Sequence, residues 1–199
     1  IEVILADVSI TAFIPIMISA ATGAIISGLL LNENILMHFY QKQSFELNDI
    51  WFYVILGLIT GWFSVYYSRN FQKITTYFNR LKMSPYRKAI YGASLLALLI
   101  FVVPTLFGQG YESIKVLSGD NPKQLLEDTI FSNFQDSHWA LLVFVGLGSF
   151  LKVFAVGFTL NSGGNGGNFA PSLFVGSYLG FLFSYLANLT NLVKLPVSS

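Results

Sequence analysis

Between Asn161 and Pro171 the chain reads Asn161-Ser162-Gly163-Gly164-Asn165-Gly166-Gly167-Asn168-Phe169-Ala170-Pro171, with four glycines in five positions. Each glycine in a helix costs about 1 kcal/mol relative to alanine, so a helix does not run through this stretch. Apolar runs flank it on both sides, which places non-helical backbone at membrane depth. Such backbone is tolerated only where protein buries it or where it lines a water-filled cavity. Pro171 falls in what would be the first turn of the next helix, where its missing N–H costs nothing. The spacing therefore predicts a helix that starts inside the membrane. Its first N–H groups are unpaired, and its dipole places about half a positive charge there. That end is a ready site for an anion, as in transporters that use broken helices near the midplane. Gly167, Asn168, Phe169 and Ala170 would supply the amides. Gly163, Gly164 and Gly166, bare of side chains, and Pro171 would shape the approach.

The alternatives differ in chemistry. A cation site would want carboxylates, and no Asp or Glu occurs between Ser137 and Ser199. A phosphate-binding P-loop would need Lys followed by Ser or Thr after the glycines, and Asn168-Phe169 occupies that place. A glycine hinge with no ligand, making the chain a non-transporting packing or assembly module, stays open.

Few other residues invite chemistry. Lys152 stands alone as a charge inside an apolar run, which makes it a functional candidate. It either raises the local anion concentration beside the pathway or snorkels to the cytoplasmic interface. His38 and His138 lack a second ligand at metal spacing and read as interface or capping residues. Trp51, Tyr53, Trp62, Tyr66 and Tyr67 read as interfacial or packing aromatics. Thr159 and Ser162 carry hydroxyls that helices commonly turn back onto their own carbonyls. No Ser/His/Asp set has suitable surroundings, so neither an enzyme nor a cofactor is expected.

The elements that would position this site must be membrane helices. Of 199 residues, 54% are hydrophobic and 11% charged, against roughly 25% charged in a soluble domain; the mean hydropathy is +0.62. A net charge of +1 gives no case for nucleic acid, and the absence of cysteine excludes disulfides and thiolate metal sites. A helix needs about 20 apolar residues to span, and five spans are expected, at 10–31, 50–68, 89–108, 138–160 and 169–189, within one transmembrane domain over 1–199. Arg69, Lys73, Arg80, Lys82, Arg87 and Lys88 mark a basic connection without acids, which belongs in the cytoplasm; an anionic-lipid contact is its sharper alternative. The segment 109–137 carries Glu112, Asp120, Glu127, Asp128 and Asp136 against Lys115 and Lys123 and fits the outer side. A short amphipathic helix is expected in it from Lys123 to Phe131. Small residues at helical spacing (Ser19, Gly23 and Ser27; Gly57 and Gly61; Gly176 and Gly180) suit close helix packing. The chain starts at Ile1 with no signal-peptide pattern, which suggests a fragment.

The run from Lys152 through Thr159, then Asn161 to Phe174 and on to Gly180, resembles the signature of the CLC family around its G-x-F-x-P motif. Gly108-Gln109-Gly110-Tyr111 resembles the family's glycine-tyrosine turn after a span, and Ile1-Glu2-Val3 the segment closing its seventh helix region. The resemblance implies an all-α, antiparallel inverted-repeat fold. It implies one anion pathway per subunit of a homodimer, in the inner membrane of a bacterium. Chloride would bind the amides at Asn168 and Phe169, and Gly167 and Ala170 would shape the helix start. The first span, with its Ser19, Gly23 and Ser27 face, would match a helix at the dimer interface. The family's serine filter segment and its gating-glutamate segment would lie upstream of this chain, and its pore-facing tyrosine downstream. Glu2 matches the first of two acids that exchangers often carry and Val3 replaces the second, which leans toward a passive channel or another proton route.

Overall fold

The computed structural model describes residues 10–31, 50–119, 121–127, 129, 131–132 and 137–189. The readings placed on Glu2, Val3, His38, Asp120, Asp128 and Asp136 lie outside the described residues. Six α-helices run in order: α1 (Ile10–Leu31), α2 (Ile50–Arg80), α3 (Pro85–Val102), α4 (Tyr111–Ser118), α5 (His138–Asn161) and α6 (Phe169–Leu189), with 3-10 turns at Pro104–Leu106 and Pro122–Leu126. No strand occurs among the described residues. Helices α2, α3, α5 and α6 are each long and apolar enough to cross a membrane. The chain is an all-α integral membrane protein, the class its composition demands.

Two compact units divide the chain at His38. In the first, α1 carries no charge along its 22 residues. It exposes Met17, Ile18, Ile25 and Leu29, and a side chain added at Gly23 would meet nothing within 4 Å. Thr22 turns its hydroxyl back onto the Ile18 and Ser19 carbonyls.

The second unit is built around α5. Of its apolar stretch 61% is buried, against 33% for α6 and 6% for α2 and α3. A helix apolar on every side belongs in an interior, and α2, α3 and α6 all pack on it. Glycines set the approach. A Cβ at Gly157 would sit 2.8 Å from Ile74 Cδ1 of α2, and one at Gly148 would sit 2.9 Å from the Tyr178 ring of α6. Gly92 of α3 faces Ser162 in the same way. Phe78 of α2 is fully buried, its ring near those of Tyr91 and Phe158. The opposite faces, with Trp51, Leu58 and Trp62 on α2 and Ile90, Leu98 and Phe101 on α3, are apolar and exposed, as lipid-facing surfaces are.

Several boundaries differ from the sequence expectation, each for a local reason. The basic segment is mostly helix: α2 continues past Ser68 to Arg80 because Ile74 and Phe78 extend its buried stripe. The connection shrinks to 81–84, and Pro85 opens α3. At 31 residues α2 is about 46 Å long, well beyond the ~30 Å of hydrocarbon. The third span stops at Val102 rather than 108, since Pro104 pushes Val103 out of helical backbone (φ −131°, ψ 87°). The amphipathic helix lies at Tyr111–Ser118 rather than Lys123–Phe131. It buries Ser113, Ile114 and Leu117 and packs against α6, whereas Pro122–Leu126 forms only a 3-10 turn. Gly57, Gly61, Gly176 and Gly180 have open space beside them; within the second unit close approach belongs to Gly92, Gly148 and Gly157.

Candidate functional site: a helix start beside a buried lysine

Helix α5 ends on the glycine run through two nested bonds. The Gly164 N–H donates to the Thr159 carbonyl at 2.9 Å and the Gly163 N–H to the Leu160 carbonyl at 3.4 Å. Gly163 stands at φ +104°, a conformation that glycine alone adopts freely. Thr159 and Ser162 turn their hydroxyls back onto helix carbonyls. Backbone from 164 to 168 is then irregular until α6 begins at Phe169. The first intrahelical bond there runs from the Ser172 N–H to the Asn168 carbonyl, 3.0 Å. Among the described residues no hydrogen bond takes up the N–H groups of Gly166, Gly167, Asn168, Phe169 or Ala170.

All of these residues except Asn168 line a cavity of about 550 Å³. One wall is Asn165, Gly166, Gly167, Phe169, Ala170 and Pro171; the other comes from α5 and from the segment Leu106 to Tyr111. Lys152 stands in that wall, 1% exposed. Its ammonium donates to the carbonyls of Gly108 (3.1 Å) and Leu106 (3.3 Å) and lies 4.4 Å from the centre of the Phe174 ring. The ammonium is held inside the protein, by carbonyl dipoles and an aromatic face, rather than extended from its surface. Gly108 and Gly110 at φ +61° and +84° bend the chain back under α6, where Gly110 lies against Phe174. The arrangement offers unpaired backbone donors, a helix dipole and one buried cation, with no carboxylate along the cavity. That is the electrostatics of an anion site.

The profile described as "Voltage gated chloride channel" matches residues 1–198. The chain belongs to this family. The family is one of membrane transport proteins and not of enzymes. Among curated relatives, the uncharacterized protein MJ0305 of Methanocaldococcus jannaschii is 24% identical over 87% of the chain and 39% of its own length. The voltage-gated ClC-type chloride channel ClcB of Escherichia coli (strain UMN026 / ExPEC) is 24% identical over 92% of the chain and 40% of its own length. ClcB of Citrobacter koseri stands at the same figures. The chain thus spans about 40% of the length of the relatives it matches. No solved structure matches the chain with significance.

Within this chain the candidate residues separate. Gly166, Gly167, Phe169, Ala170, Pro171 and Lys152 share the cavity; Gly163, Gly164 and Asn168 do not line it. A Cβ on Gly164 would lie 2.7 Å from the Thr159 carbonyl oxygen, whereas one on Gly167 would meet nothing within 4 Å. The first pair of glycines closes α5 and the second pair opens the site. Two contributions escaped the sequence. Leu106 to Tyr111 supplies the far wall, and its only signal was the Gly108/Gly110 spacing. Tyr67, read as a packing aromatic, donates its hydroxyl to Asn168 Oδ1 at 3.4 Å. His138 pairs through Nδ1 with the Tyr185 hydroxyl, tying the start of α5 to the end of α6.

Proposed function

We propose that this chain forms part of a transmembrane pathway for chloride or a similar small anion. The anion binds the backbone amides of Gly167, Asn168, Phe169 and Ala170 at the start of α6, and Lys152 holds positive potential at the cavity wall. One observation carries the reading: residues with unpaired helix-start amides and the buried Lys152 line the same cavity, with no acid among its lining residues. Membership in the chloride-channel family and the names of the ClcB relatives support chloride as the ion. Conduction runs either as a voltage-gated-type channel or as proton-coupled exchange. The working unit is a homodimer that pairs through the Ser19, Gly23 and Ser27 face of α1, in the inner membrane of a bacterium.

The test is chloride efflux from liposomes holding the full-length protein. Gly167→Val should reduce efflux at least tenfold with the protein still folded, because the added side chain enters open space at the site. Efflux equal to wild type would remove the pathway assignment and leave the glycines a purely structural role. Channel and exchanger part on whether a chloride gradient drives proton movement in the same vesicles.

A further inference from the structure

Asn168 occupies the N-cap position of α6, as the bond from Ser172 N–H to its carbonyl shows. An asparagine there ordinarily folds its side-chain oxygen back onto the N–H of the second or third helical residue. In α6 the third residue is Pro171, which has no N–H. The one amide that Asn168 could cap is therefore Ala170, among those assigned to the anion. A self-capped Asn168 would compete with the ligand for its donor. The structure has the oxygen elsewhere: Oδ1 accepts the Tyr67 hydroxyl of α2, 101 positions away in sequence. The Ser172 hydroxyl engages the Asn168 carbonyl, 2.7 Å, leaving the side chain to Tyr67. Tyr67 is half-buried at a groove of about 180 Å³ between α2 and α6, lined also by Thr60, Ser64 and Ser172. The phenolic hydroxyl finds its acceptor in Asn168.

We propose that Tyr67 is a positioning residue that draws the Asn168 side chain off its own helix and so keeps the Ala170 amide available to the anion. The inference rests on the pathway reading above. The pair acts as a fixed setting of affinity: with the tyrosine hydroxyl present the site is open, and without it the asparagine caps the helix and the anion must displace it.

The experiment is calorimetric titration of chloride into the full-length protein, purified in detergent and freed of chloride. It compares wild type, Tyr67→Phe, Asn168→Gly and the double variant. An N-cap bond from asparagine is worth about 1 kcal/mol, so Tyr67→Phe should weaken chloride about fivefold. In the Asn168→Gly background, adding Tyr67→Phe should change nothing, since no competing oxygen remains. Without chloride, Tyr67→Phe should melt no lower than wild type, because the new cap offsets the lost contact. The inference is overturned if Tyr67→Phe binds like wild type, or if its loss persists in the Asn168→Gly background, the mark of a packing role. Either result leaves the pathway reading intact where wild type binds chloride and Gly167→Val does not. Absence of chloride binding to wild type overturns both.

Discussion

At the scale of residues, the account turns on which groups carry charge and which only permit the backbone to bend. Lys152 is fully buried, with two carbonyls on its ammonium, so its replacement separates structure from electrostatics. Lys152→Gln keeps a donor for those carbonyls and removes the charge. It should fold while binding chloride at least fivefold more weakly, as read by calorimetry. Lys152→Met leaves buried carbonyls unsatisfied and should also lower stability, by about 1–3 kcal/mol. A Lys152→Gln protein with wild-type chloride affinity would reduce the lysine to a structural tie. The glycines divide in a similar way. Gly163→Ala meets φ +104° and Gly164→Ala meets the Thr159 carbonyl, so both should lower the thermal midpoint through about 1–2 kcal/mol of backbone strain or clash. Gly167→Ala has room and should leave the midpoint unchanged. The glycine count alone pointed to the break. Which glycines close a helix and which face a ligand follows from φ and from distant neighbours, and neither is written in local sequence.

At the scale of elements, apolar length located the long helices, while several of their ends followed other cues. Apolar length sufficed for α5 and α6, whose expected limits match within a residue because glycines and proline fence them. Helix α2 outran its apolar stretch. Its last turns are polar outside and buried on one stripe through Ile74 and Phe78, a pattern that the run of basic residues masked. The fully buried Phe78 is thus an element-level test. Phe78→Ala should cost about 3–5 kcal/mol and loosen α2 from α3 and α5, visible as faster hydrogen exchange in the α2–α3 turn. A stability loss under 1 kcal/mol would mean that the polar end of α2 does not pack as described. Helix α4 was missed because eight residues are too few for a clear period. Its buried face becomes recognisable only once α6 lies over it.

For the molecule as a whole, family membership and the four spans fix an integral membrane protein, while orientation follows from charge. The α2–α3 connection and the helix turns flanking it carry Arg80, Lys82, Arg87 and Lys88, which the positive-inside tendency assigns to the cytoplasm. The sequence contains no cysteine, so within this chain an introduced one is unique. Lys82→Cys should react with a membrane-impermeant maleimide only from the cytoplasmic face and Glu127→Cys only from the opposite face; the reverse pattern would invert the topology. What sequence and resemblance supplied at this scale was the family and an expectation of anion chemistry at the α6 start. What they could not supply was its far wall at Leu106–Tyr111, brought there by a chain reversal at two positive-φ glycines. The most direct test of that chemistry is to crystallise the full-length protein in bromide and record anomalous scattering. A bromide peak within hydrogen-bonding reach of the Phe169 and Ala170 amides, on the cavity side facing Lys152, is the predicted result. An empty cavity, with those amides bonded to protein carbonyls and bromide bound elsewhere in the membrane region, would contradict the account.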